Sequence, residues 1–188
     1  GWMLLVPRGY LSTFMKLGVV LLLGFGVILM APTIEMPRVT AFANGGGPII
    51  PGTLFPFLFI TIACGAVSGF HSLVSSGTTP KMLDNERDMR FIGYGAMLTE
   101  SLVAVMALIA ACVLTPGIYF AINAPPAIIG TTAESAAEVI RTWGFVLDPA
   151  QLHALAANVQ EQTLLSRTGG APSLAVGMAM LFSTVLGG

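Results

Sequence analysis

The sequence predicts an all-α fold of polytopic transmembrane helices, one of them discontinuous, and three observations carry that expectation. The first is composition. Of 188 residues, 55% are hydrophobic and 9% charged, with a mean hydropathy of +0.85. Soluble domains carry about 25% charged residues, so a chain this poor in charge belongs in a bilayer. The second is run length. Residues 11–31 and 91–114 are apolar over the roughly 20 residues that cross a hydrocarbon core of about 30 Å. The third is the stretch FPFLFITIACGAVSGFHSLVSSGTTP, which starts as an apolar segment and then dissolves into glycines and hydroxyls with no charged stop. A plain anchor would stay apolar to its end.

Taken in order, residues 1–10 hold Pro7 and Arg8 and read as a short connector. Residues 11–31 are the first span. Lys16 is close enough to its end to snorkel, and Gly18, Gly24 and Gly26 offer a small-residue packing surface. Pro32, Pro37, Pro48, Pro51 and the Gly45-Gly46-Gly47 triplet forbid a long helix over residues 32–53. Residues 54–80 are the broken second span. Helical hydrogen bonding should fail there between about Ser72 and Pro80, since Gly77 and Pro80 both oppose a helix interior. The charged loop KMLDNERDMR leads into the third span at 91–114, which Thr115-Pro116-Gly117 ends.

Residues 115–170 form an outer segment with short surface helices expected at 133–143 and 149–164. Asp148 and Pro149 suit an N-cap and first helical position, and Leu152, Leu155, Ala156 and Val159 share a face. Residues 171–188 read as a truncated fourth span of the same transmembrane domain. No targeting peptide precedes the first apolar run and no polar flank follows the last, so the chain is expected to be an internal piece of a longer protein. Three of the eight basic residues, Lys81, Arg87 and Arg90, crowd one ten-residue loop. By the positive-inside rule that loop and the N-terminal flank face the cytoplasm.

Composition excludes some functions. A net charge of −1 gives no electrostatic case for nucleic acid. Cys64 and Cys112 lie in apolar runs without metal-ligand spacing and read as small hydrophobes, so neither cofactor nor metal is expected.

The candidate chemistry gathers at the broken span. Non-helical backbone at membrane depth survives only where protein buries it or where it lines a wet cavity, and broken helices expose backbone groups to solutes in transporters. Ser68, Gly69, His71, Ser72, Ser75, Ser76, Gly77, Thr78 and Thr79 therefore read as a substrate or ion pathway. Ser68, Ser72, Ser75 and Thr79 repeat at one helical face, a polar stripe if the helix persists and a cage if it unwinds at Gly77. The alternative is that these hydroxyls bond back to their own helix. His71 can titrate near physiological pH or donate to a carbonyl freed by the break.

Glu100, in YGAMLTESLVAVMALIAAC, is the only acid inside an apolar span. A carboxylate at membrane depth costs about 3 kcal/mol, so it reads as a proton- or cation-coupling group, with a structural bond to a neighbouring helix as the alternative. One His and one Glu are too few ligands for zinc. Ser68-Gly69 beside His71 invites a hydrolase reading, but Ala66 stands where the nucleophile motif needs glycine, and the base shares the segment. Arg167 with Gly169 and Gly170, ahead of a helix led by Pro172, is a candidate anion contact. Its alternative is an ordinary interfacial arginine before a flexible turn.

FPFLFITIACGAVSGFHSLVSSGTTPKML followed by RFIGYGAMLTESLVAVMALIAA closely resembles the carbon starvation protein A family of bacterial inner-membrane transporters. WMLLVPRGYLSTFMKLG and SRTGGAPSLAVGMA resemble it too, so the likeness covers essentially the whole chain. The resemblance implies a fragment of a larger secondary transporter, like those of the amino acid–polyamine–organocation superfamily, with many more spans. It implies ion-coupled symport, with a proton as the ion and pyruvate or a peptide as the small-molecule substrate, rather than an enzyme. Rival classes are an intramembrane hydrolase and a solute-sensing receptor.

Overall fold

A computed structural model describes the backbone of residues 2–67 and 73–186, and the side chains of residues 7–67 and 73–183. Among the described residues the regular elements are all helical. The chain divides into two compact units, Gly1–Pro37 with Val103–Gly188, and Arg38–Leu102.

The first unit opens with α1, Trp2–Met30. The expected connector at residues 1–10 is therefore helical from Trp2, with Pro7 inside the helix. Pro7 removes only the bond to the carbonyl of Met3, and Met and Leu around it are strong helix formers. After residues 31–53, the 83–87 loop and the elements between them comes the long helix that the two units share, whose last third packs on α1.

The second unit begins with a 3₁₀ turn at Ala41–Asn44 and α2, Leu54–Ala66. Residues 68–72 lie outside the described residues, and with them Ser68, Gly69, His71 and Ser72. A π-helical turn, Val74–Thr78, then runs directly into α3, Thr79–Met82. This corrects the expectation that helical bonding fails up to Pro80: over the described part of that stretch the helix widens instead of unwinding. Pro80 falls in the first turn of α3, where its missing N–H is tolerated, and Gly77 is accommodated within the wider turn. The long shared helix is α4, Asp88–Val113, and the boundary between units falls inside it.

Two stretches, Pro7–Met30 and Asp88–Val113, are long and apolar enough to cross a membrane. In the first unit Leu23 of α1 and Ala110 of α4 are buried against Leu181 of the last helix, α9 (Gly170–Leu186), which follows the four short helices described next. A Cβ placed on Gly177 would stand 2.2 Å from the carbonyl oxygen of Ala110, so the α9 and α4 backbones touch there. Gly24 and Gly26 face Met106 and Phe182 at van der Waals distance, in keeping with the small-residue expectation; Gly18 has no neighbour within 4 Å. Just after α1, the N–H groups of Glu35 and Met36 donate to the Cys112 carbonyl at 3.0 and 3.3 Å. The C-terminal ends of α1 and α4 therefore sit at one level.

Between α4 and α9 lie α5 (Pro116–Asn123), α6 (Pro126–Ile129), α7 (Ala133–Thr142) and α8 (Pro149–Asn158). The first two were not anticipated; each starts on a proline, a residue preorganised for a first turn. Asp148 caps α8 by accepting from the Ala150 N–H at 2.9 Å, and Leu152, Leu155 and Ala156 are buried, as their spacing required. The helix stops short of residue 164 because Gln160 turns left-handed (φ 58°). The Gln160 and Glu161 N–H groups then close on the Ala157 and Ala156 carbonyls at 3.0 and 2.9 Å, a Schellman stop. These helices are more than surface decoration. Leu114, Ile118, Ile122, Ile129 and Ile140 have no solvent exposure. On α7, Ala133, Ala136 and Ile140 point inward, while Glu134, Glu138 and Arg141 are exposed.

Candidate functional site

Within the second unit a cavity of about 740 Å³ opens between the Val74–Met82 segment and the first half of α4. That size falls in the usual range for small-molecule sites, about 300–1,000 Å³. On α4 the lining recurs at Met89, Ile92 and Gly93, Ala96 and Met97, then Glu100, which is one face of a helix. Gly93 and Ala96 leave the room, and Glu100 is the last residue of the face along the chain. Opposite them, Ser75 and Thr79 bring hydroxyls, with Val74, Pro80 and Leu83 as apolar wall.

Three of the residues singled out in the sequence, Ser75, Thr79 and Glu100, thus line one space. Ser76, Gly77 and Thr78 share the π turn with Ser75 but do not line the cavity. The α4 face was missed by sequence reasoning; stepping back from Glu100 by helical intervals would have found it. Beside Glu100, Thr99 and Ser101 donate to the carbonyls of Gly95 and Met97 at 2.8 and 2.9 Å, so these hydroxyls serve their own helix.

The chemistry available follows from these groups. Two hydroxyls can donate and accept, whereas a carboxylate only accepts when ionised and also donates when protonated. Among the described residues the lining holds no Lys or Arg. An organic anion therefore meets a repelling group if Glu100 is ionised, and a hydrogen-bond donor if Glu100 carries a proton.

The second candidate, around Arg167, is occupied by the chain itself. The Arg167 guanidinium donates to the Glu161 carboxylate at 2.5 Å, with both side chains about half exposed. The Gly169 N–H donates to Asn123 Oδ1 at 3.2 Å, and Gly170 begins α9. Asn123, which the sequence did not mark, is buried; its Nδ2 donates to Ser173 Oγ at 2.9 Å and to the Tyr119 carbonyl at 3.0 Å. Ser166 Oγ donates to the Ala124 carbonyl at 2.9 Å. This network ties the start of α9 to the end of α5. Burial, with a smaller contribution from the neighbouring Cys112 thiol, pushes the Tyr119 phenol above its ordinary value and keeps it neutral.

Over residues 1–188 the chain matches the sequence model of the family described as Carbon starvation protein CstA. The chain belongs to that family. It is 57% identical over 192 residues to the Peptide transporter CstA of Escherichia coli (strain K12), covering 100% of this chain and 27% of that protein. It is 54% identical over 188 residues to the Peptide transporter CstA of Campylobacter jejuni, again covering 100% of this chain and 27% of the relative. To the Pyruvate/proton symporter BtsT of Escherichia coli (strain K12) it is 50% identical over 207 residues, covering 98% of this chain and 29% of that protein. The chain thus spans a little over a quarter of the length of these relatives. No solved structure matches it at a significant level. The family is the one that the broken-span motifs resemble.

Proposed function

We propose that this chain supplies part of the solute pathway of a proton-coupled secondary transporter of the bacterial inner membrane, with pyruvate as its first substrate and peptides as its second. The observation that carries the reading is the cavity lined by Glu100 together with Ser75 and Thr79, with no Lys or Arg among the described residues of the lining. In such a space a small carboxylate is held only after Glu100 is protonated. The neutral acid then donates to the solute while the hydroxyls complete its hydrogen bonds. Proton and anion enter together because either alone is disfavoured, which is symport in physical terms. The names of the relatives, one a pyruvate/proton symporter and others peptide transporters, support the same class.

Membrane topology supports a multi-pass reading with three crossings and a fourth at α9. The C-terminal ends of α1 and α4 share a level through the Cys112 carbonyl, so if both span, they span in the same direction. The chain between them must then return across the bilayer once. A 13-residue helix such as α2 is only about 20 Å long, short of the roughly 30 Å core, so the Val74–Met82 segment completes that crossing. We read the assembly as organised like amino acid–polyamine–organocation transporters, embedded in a lipid bilayer and acting on a solute and a coupling ion rather than as an enzyme.

A second reading, peptide transport, is favoured by the cavity's volume, which exceeds what a three-carbon acid fills. A peptide would place its ammonium on an ionised Glu100. The deciding experiment is uptake of labelled pyruvate and labelled dipeptide into proteoliposomes holding the full-length protein, with and without a proton gradient. Gradient-stimulated pyruvate accumulation supports the first reading, and dipeptide accumulation the second. Absence of both with folded protein overturns the transport proposal.

A further inference from the structure

We infer that the turn formed by Trp143, Gly144, Phe145 and Val146 is an interfacial anchor that seats the segment between α4 and α9 in the lipid headgroup region. Three independent features of the first unit carry it. The turn itself is built to present apolar groups: Gly144 takes φ +85° directly after α7, so the chain reverses at Trp143 and exposes Val146 at 84%. That is the highest exposure of any large hydrophobic side chain among the described residues.

Beneath the turn, the buried Phe120 ring fixes its aromatic residues. Phe120 stacks on Phe145 at 5.2 Å and meets Trp143 edge-on at 5.7 Å, so both rings are held in place. The third feature is depth. A Cβ on Gly117 would stand 2.2 Å from the Val146 carbonyl oxygen, so the turn lies directly against a residue four positions past the end of α4. Taking α4 as a span, that end lies at the edge of the hydrocarbon core. A partly buried Trp143 at this depth is what membrane interfaces select, since an indole buries its body while its N–H stays hydrated, and Phe145 and Val146 add apolar surface beside it. The exposed face of α7 carries Glu134, Glu138 and Arg141 and suits the aqueous side.

The inference rests on the membrane reading of α4, and the experiment separates the two. Single spin labels are placed at Val146→Cys, Glu138→Cys and Leu108→Cys in the full-length protein, reconstituted in lipid nanodiscs. Collision with lipid-soluble oxygen is compared with collision with a water-soluble nickel chelate. At position 146 oxygen collisions should exceed chelate collisions, and at position 138 the order should reverse. A label at 146 open to the chelate while 108 is shielded overturns the anchor alone. A label at 146 shielded from both reagents also overturns it, since another part of the protein then covers the turn. Chelate access at 108 takes down the span and the anchor together.

Discussion

The two units are built from the same apolar alphabet and bury it very differently. In the unit containing residues 103–186, Leu114, Ile118, Ile122, Ile129, Ile140, Val176 and Leu181 are each under 2% exposed. Among the described residues of Arg38–Leu102, only Pro48 is buried. In water the second pattern would mark an unstable domain. In a bilayer it does not, because lipid tails are as apolar as leucine and outward apolar surface carries no penalty. The contrast separates a part that buries its own apolar side chains from a part that leaves them exposed. The cavity with Glu100 belongs to the open part, and the Asn123 network to the closed one.

The sharpest way to break this contrast is to add one methyl group to a glycine in each unit. Gly177→Ala forces carbon into the Ala110 backbone, which cannot yield without separating α9 from α4; overpacking of this kind costs about 1–3 kcal/mol or more. Gly77→Ala meets nothing within 4 Å among the described residues. Thermal melting of the full-length protein, followed by size exclusion, should therefore fall markedly for Gly177→Ala and scarcely move for Gly77→Ala. The reverse order would mean the contrast in packing is wrong.

Glu100→Gln comes next and tests the open unit for function. It keeps the size and most of the hydrogen bonding of the side chain but removes the ionisable group. Uphill accumulation of solute should collapse to simple equilibration while exchange across the membrane survives and the melting temperature holds. Accumulation at the wild-type level would leave Glu100 a structural residue.

Asn123→Leu is the matching polar change in the closed unit. It leaves the Gly169 N–H without its acceptor and removes the donor to Ser173, and a buried unsatisfied group costs about 1–3 kcal/mol. Stability should drop with little effect on transport per folded molecule, measured by normalising uptake to the monodisperse fraction. The smallest effect is expected at Arg167→Gln. Its partner Glu161 is about half exposed, and exposed ion pairs contribute about 0–1 kcal/mol, so the melting temperature should barely change. A loss of uptake in that variant would support Arg167 as a solute contact.

How much of this was legible beforehand depended on whether local chemistry or distant contacts decided the outcome. Run length located α1 and α4, and Asp148-Pro149 located the start of α8, because span length and capping are local. The convergence of Glu100, Ser75 and Thr79 on one cavity was half legible: each residue stood out by type, but their sharing a space depends on how the chain turns through residues 83–87. Pro116 was read as the stop of a span, whereas it begins α5, a helix whose burial is decided by α7 and α9. Asn123 carried no signal, since an asparagine in an apolar run becomes informative only when Gly169 and Ser173 come to face it. The π turn was concealed for the same reason that Gly77 and Pro80 looked disruptive: both oppose a regular helix, and a wider one absorbs them.

The packing of Leu23 against Leu181 also sets a timetable for synthesis. Leu181 is made 158 residues after Leu23. At about 5–20 residues per second the ribosome needs roughly 8–30 s to deliver it. Throughout that interval the inner face of α1 is in the membrane without its final neighbour. A soluble nascent chain would have to shield such a face from water. Here acyl chains can solvate it meanwhile, and the late arrival of α9 displaces lipid rather than water, so the order of synthesis imposes delay without exposing α1 to aggregation.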